Sequence, residues 1–302
     1  MESITVLMST YNGERFINEQ IDSILCQENV DVSLIIRDDG SSDRTVDIIN
    51  EYVKNDNRVS FYSGNNLGPA YSFLDLITEA PPASYYALSD QDDVWDSDKL
   101  YVAIEKLKHC DQDKPALYYS NLKVVDGDLN FIKNSHKIPL VQKDRYSCLV
   151  EPVVTGCTCV FNKAAKEKIE CKKPEYISMH DTWIHMVCSF FGNVVYDFEP
   201  HIMYRQHGNN VIGAYNGGIM QVIKRVERLF DRNLQPRYYN AISFLRCYER
   251  DLSELDLCKI KKIARYKDSI KGRMSLLLDK DLHATSFSRE VRNRLLIIVG
   301  LI

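Results

Sequence analysis

Through the first 110 residues, short β-branched runs alternate with amphipathic helical patterns, and this constrains the possible folds more than any other feature. Residues 4–8, 32–36, 59–62 and 85–88 read as strands. Residues 15–26, 43–54, 70–78 and 98–110 read as helices, the first with Phe16, Ile17, Ile21, Ile24 and Leu25 on one side. Such alternation predicts an α/β fold of right-handed βαβ units, with a mostly parallel sheet covered by helices on both faces. Sheets of that kind take ligands at the carboxyl ends of their strands. Four polar clusters fall at those ends: Ser9-Thr10-Tyr11-Asn12-Gly13, Asp38-Asp39-Gly40-Ser41-Ser42, Asn65-Asn66-Leu67-Gly68 and Ser89-Asp90-Gln91-Asp92-Asp93.

Further along, the pattern becomes mixed, with strands expected near 117–120, 158–161, 194–196 and 202–204, a helix over 182–191, and an irregular stretch over 126–150. Lys/Arg-rich amphipathic helices follow at 220–230, 239–249 and 257–278, after a suspected hinge at 209–218. Charge divides at the same place. Residues 1–214 carry 20 basic and 32 acidic side chains, a net of −12, whereas residues 215–302 carry 18 and 10, a net of +8. The expectation is a main domain over 1–214 and a basic helical annex over 215–302. With 45% apolar and 26% charged residues, wholesale disorder is excluded.

The N-terminus lacks a basic n-region, and the longest apolar run, 295–302, is far short of the roughly 20 residues that span a bilayer. Nine scattered cysteines without a CxxC pair suggest reduced thiols. A cytoplasmic protein is expected, at most peripheral at the inner face of the membrane. Cys157 and Cys159, alternating on an expected strand, read as structural.

Asp90 and Asp92, two residues apart just past a buried strand, can converge on one hard divalent cation, and Mg or Mn suits oxygen ligands together with diphosphate oxygens. Acidic turns also occur as solvated loops or helix caps, the reading given to Asp96 and Asp98. Similarly, Asp38 and Asp39 fit an Asx-turn ahead of the next helix, and Asp181 fits an N-cap.

In combination, STYNG, RDDGSSD, NNLG and SDQDDVW at successive strand ends resemble the family-2 glycosyltransferases of GT-A fold, over about residues 1–210. Together with YRQHGNNV, the wording SDQDDVW looks most like the bacterial rhamnosyltransferase branch, which builds cell-wall or capsular polysaccharides. The resemblance implies an inverting enzyme using a dTDP- or UDP-sugar, Mn or Mg, and a glycan or lipid-linked glycan acceptor. It places Thr10, Tyr11, Asn12 and Glu14 around the nucleotide, Asp39 on the N3 hydrogen of uracil or thymine, and Asn66 and Gly68 near the donor. Gly68 is equally explained by a turn needing positive φ.

Asp90 and Asp92 then correspond to the DxD pair, with Asp90 facing the ribose or a metal-bound water and Asp93 behind them. His207 is implied as a third metal ligand and Arg205 as a pyrophosphate contact. Asp181 sits where the family carries its general base, although His180 replaces the usual preceding acid and is itself a rival. Gly156, Cys157 and Thr158 resemble the acceptor-side floor, and Trp183 is either a sugar-stacking platform or ordinary packing.

Other classes remain in view. Sugar-1-phosphate nucleotidyltransferases share the alternation but usually show G-x-G-T-R after the first strand, which STYNGER does not offer. A non-catalytic nucleotide-sugar-binding or scaffolding module would keep the fold; its retained carboxylates argue against it. Nucleic-acid binding by the basic annex lacks recognition motifs. Lys224, Arg225, Arg228, Lys259, Lys261, Lys262, Arg265, Lys267, Lys271 and Arg273 fit helices packed on the catalytic domain or on each other, or a peripheral contact with anionic lipid.

Overall fold

The β-branched runs at the start of the chain become the centre of a seven-stranded sheet. The computed structural model of the protein describes residues 1–137, 145–151, 153–207 and 235–301. The suspected hinge at 209–218, the helix expected at 220–230, and Lys224, Arg225 and Arg228 lie outside the described residues. Contacts divide the chain into two compact units, Met1–Leu140 with Val154–Cys171 and Met179–Gly208, and Val141–Val153 with Lys172–Ser178 and Asn209–Ile302.

In the first unit, β1 (Glu2–Thr10), β2 (Val30–Asp38), β3 (Val59–Ser63) and β4 (Tyr85–Ser89) are followed by a short β5 (Val94–Trp95), β6 (Ala116–Ser120), β7 (Lys123–Val125), β8 (Phe131–Asn134), β9 (Val160–Asn162), β10 (Asn193–Asp197) and β11 (Ile202–Arg205). The main sheet runs β10-β6-β9-β4-β1-β2-β3. Its strands pair in parallel except β9, which is antiparallel to both β4 and β6. Helices cover both faces, as the alternation predicts. On one side α1 (Ile17–Leu25), α2 (Thr45–Asn55) and α4 (Lys99–Leu107) lie over Ile4, Val6 and Met8, and on the other lie α3 (Gly68–Glu79), α6 (Lys163–Glu170) and α7 (His180–Phe191). Burial of each of these aliphatic side chains contributes about 1.5–3 kcal/mol.

Parallel register aligns the strand ends. Thr10 faces Asp38, Asp38 faces Ser63, and Met8 faces Ser89, so all four polar clusters share one edge of the sheet. A second sheet, β5-β11-β7-β8, falls where the chain reads as partly irregular, and it brings β11 beside the turn after β4. Cys157 lies in a single 3-10 turn (Gly156–Thr158) with Cys159 just beyond it, ahead of β9, so the expected CxC strand is not formed.

The second unit is helical: α5 (Ser147–Val150), α8 (Pro236–Tyr248), α9 (Glu254–Ala264), α10 (Ile270–Leu277) and α11 (Phe287–Val299). The single helix expected over 257–278 is two, because Ser269 caps a new helix by accepting from the Gly272 amide at 3.0 Å. Buried Glu151 accepts from the Thr285 amide and pairs with Arg289, while Asp279 pairs with Lys259 and Lys262. Several lysines of the basic annex therefore serve internal ion pairs. Among the described residues, no helix is long and apolar enough to cross a membrane.

Candidate active site

Two loops lace together at the rim. Asn12, in the left-handed region at φ 50°, donates its amide to Ser41 Oγ (2.8 Å) and accepts on Oδ1 from the Ser42 amide (2.8 Å). Glu14 accepts from the Arg44 amide ahead of α2. Thr10 is buried and donates to Asp38. Tyr11 is half exposed, and its backbone pairs reciprocally with the Gln91 side-chain amide, at 2.9 and 3.0 Å. A Cβ on Gly13 would fall 2.2 Å from Gln91 Oε1, so a larger residue there would turn the Gln91 amide away from the Tyr11 backbone.

The two aspartates after β2 have different roles. Asp38 makes the Asx-turn, accepting from the amides of Gly40 and Ser41. Asp39 points instead to the third cluster: Oδ1 accepts from Arg37 and the Leu67 amide, and Oδ2 from the Gly68 amide at 2.8 Å. A carboxylate has about four acceptor directions, so one remains on Oδ2. Arg37, itself buried, also holds Asp75, Ser72 and the Asn65 carbonyl. Asn66 is exposed, and Gly68 takes φ 71° with open space where a Cβ would lie, so the turn itself accounts for this glycine.

At the end of β4, Asp92 Oδ2 lies 2.7 Å from His207 Nε2, whose ring stacks near Phe16. Asp90 is pushed up to about 7, first by burial and then by the charges of Asp92 and Asp181. Asp93 is fully buried beneath. It accepts from the Arg205 amide on Oδ1, keeps a buried Oδ2 without a hydrogen-bond partner, and is held well above the carboxylate range by burial. Carboxylate and thiol atoms of Asp90, Asp93 and Cys157 lie within 4.8 Å of one another. Lys99 Nζ, fully buried 3.4 Å from the centre of the Trp95 ring, is lowered to about 8 by desolvation.

Asp181 falls in the first turn of α7, whose N-cap is Met179 and not Asp181. Its carboxylate accepts from the Thr182 amide and is pushed up to about 6, chiefly by burial, against the lowering effect of amide hydrogen bonds from Thr182 and Gly156. His180 packs on Phe73 with ring centres 4.0 Å apart, and burial lowers it to about 3. Enclosed, and with so little affinity for a proton, it is a much weaker base than Asp181.

Three expectations change. Arg205 was expected on the pyrophosphate, yet its guanidinium is buried and engaged with the Asp92 carbonyl, the Gly127 carbonyl and Glu19. It ties the Asp90–Asp93 turn to β11. Trp183 is 1% exposed, which makes it packing and leaves no open ring face for a sugar. Gly156, Cys157 and Thr158 are buried too, with the Gly156 amide on Asp181 and the Cys157 thiol within 4.8 Å of Asp93, so they support the site without lining it. Sequence reading missed Gln91, Arg37, Glu19 and Lys99. Arg37 and Gln91 stand inside the quoted motifs, whereas Glu19 and Lys99 carry no local signal.

The family model described as "Glycosyl transferase family 2" matches residues 5–170. The chain is 31% identical over 230 residues to the dTDP-rhamnosyl transferase RfbG of Shigella flexneri, covering 68% of this chain and 74% of that protein. A solved structure of S. aureus TarS 1-349 in complex with UDP-GlcNAc is similar with a TM-score of 0.58 at 17% identity, covering 100% of this chain and 82% of the other. The mannosyltransferase PcManGT from Pyrobaculum calidifontis, in complex with GDP-Man and Mn2+, gives 0.53 at 14% identity, with 98% and 85% covered. These two structural likenesses bear on the fold.

Proposed function

Because the chain belongs to glycosyl transferase family 2, we propose that it moves a sugar, with inversion, from a nucleotide diphosphate to a hydroxyl of a growing bacterial surface polysaccharide. The acceptor is a glycan, in our reading lipid-linked. L-Rhamnose from dTDP-rhamnose is the donor we favour, on the likeness to RfbG. A UDP-hexose is the alternative, since thymine and uracil present the same N3 hydrogen to Asp39.

The observation that carries the reading is the meeting of Asp90, Asp92, His207 and Asp181 at one edge of the sheet. Carboxylates and an imidazole are donor types that suit Mn or Mg; the donor atoms already within 4.8 Å of one another are those of Asp90, Asp93 and Cys157, so Asp92 and His207 would have to close on Asp90 around the ion. The fit is supported by the crowding of Asp90 with Asp92 and Asp181, which a cation would relieve. Asp90, Asp92 and His207 would hold the metal, which when bound offsets charge growing on the leaving diphosphate.

Asp39 orients the base through its free Oδ2 direction, while Tyr11, Asn12 and Glu14 shape the rim beside it. Asp181 accepts the proton of the acceptor hydroxyl as that oxygen attacks the anomeric carbon opposite the diphosphate. With dTDP-β-L-rhamnose, inversion yields an α-linked rhamnoside. Desolvation that holds Asp181 near 6 leaves it ionised yet basic at neutral pH.

Thermal-shift measurement with dTDP-rhamnose, UDP-glucose, UDP-galactose and GDP-mannose, each with Mn, tests the donor. Ligand at about 100 times its Kd stabilises by about 2.7 kcal/mol, so the correct donor should raise Tm by several degrees. A larger shift with a UDP- or GDP-sugar than with dTDP-rhamnose would overturn the rhamnose assignment.

A further inference from the structure

In the helical unit, α10 and α11 each bury one side and leave an apolar stripe in solvent. Leu276 on α10 is 2% exposed, whereas Ile270, Met274 and Leu278 just past its end, four residues apart, are 81%, 47% and 71% exposed. On α11, Asn293 and Ile297 are buried, while Phe287, Val291, Leu295 and Ile298 are 85%, 41%, 58% and 55% exposed. Side chains at i, i+4 and i+8 share one face of a helix. Single exposed apolar residues are ordinary, but two stripes on helices that touch each other mark an interaction surface.

Charge selects the occupant. The exposed charged residues of 270–299 are Lys271, Lys280, Arg294 and Asp281; Asp281 is paired with Lys259 at 2.5 Å and Arg294 with Glu290 at 2.6 Å, which leaves Lys271 and Lys280. A twofold contact with a second copy would bring these two lysines together with no free acid within 270–299 to meet them. An anionic bilayer offers both an apolar interior and phosphates.

We propose that α10 and α11 form a lipid-docking face: the apolar stripes enter the boundary between headgroups and acyl chains, and Lys271 and Lys280 meet lipid phosphates. No helix needs to span the membrane for this. The inference rests on this surface alone, and it stands or falls independently of the donor and acceptor proposed above.

Flotation of the full chain with phosphatidylcholine vesicles, and with vesicles containing phosphatidylglycerol, provides the test. Binding should favour the anionic vesicles by about fivefold per engaged basic residue and weaken steeply at about 0.5 M salt. Phe287→Ser with Leu295→Ser should lower partitioning at least about tenfold, with unchanged melting because both positions are exposed. Ile270→Ser with Leu278→Ser is a second, independent variant on α10. No flotation, equal binding to neutral vesicles, or unaltered partitioning of both variants would overturn the proposal. So would a concentration-dependent dimer in sedimentation that these substitutions dissolve.

Discussion

Replacing Asp181 by Asn should slow transfer and yet stabilise the apo protein in a pH-dependent way. Burial raises this carboxyl from 3.8 in the unfolded chain to about 6 in the folded one. The folded state thus holds its proton longer, so the stability associated with the protonated form is complete below about pH 4 and is lost as pH rises through about 6. A difference of that size corresponds to about 3 kcal/mol. Asn cannot ionise, so the variant should gain up to about 3 kcal/mol on the native chain between pH 4 and pH 7.5. Constant costs, such as losing one oxygen that accepts from the Thr182 and Gly156 amides, cancel in that comparison. Urea unfolding in chelator at the two pH values reads the effect directly. Turnover should fall by about 10²–10⁴ with donor affinity nearly unchanged. A stability difference independent of pH, or a variant with full turnover, would refute the assignment of Asp181 as a desolvated base.

Arg205→Lys should be costly despite keeping the charge, because lysine cannot reach the Asp92 carbonyl, the Gly127 carbonyl and Glu19 together. We expect a loss of about 1–3 kcal/mol in denaturant unfolding along with weaker metal-dependent donor binding; unchanged unfolding would show that the ties to β11 are dispensable. Gly13→Ala should force Gln91 away from Tyr11 at a cost of about 0.5–1.5 kcal/mol. In a double-mutant cycle with Gln91→Ala the two costs should be less than additive, and simple additivity would mean the clash is relieved elsewhere.

The parallel core was legible because strands buried on both faces read as continuous apolar runs, as in Val6, Leu7 and Met8, set between helices with a clear period. Its ligand edge followed, since parallel strands put all their C-terminal turns on one side. β5, β7 and β8, with two to four residues each, are too short to show a period. The break between α9 and α10 did have a signal in Ser269, but the apolar and basic pattern on either side of it continues in phase. Within the site, the residue types of Asp90, Asp92 and Asp181 were readable from local motifs. The use of Arg205 was not: its partner Glu19 is 186 residues away, and only the fold brings it to the guanidinium. Trp183 illustrates the same limit, because a tryptophan two residues after Asp181 looks alike in sequence whether its ring is open or buried.

In the proposed nucleotide-sugar site a cation is held by Asp92, with Asp90 and His207 beside it. Calorimetric titration of dTDP into the native chain and into Asp92→Ala, with Mn and again with chelator, tests it most directly. Tight binding is expected only for the native chain with Mn, weakened at least about tenfold by either chelator or the substitution. Equal affinity in all four titrations would contradict it.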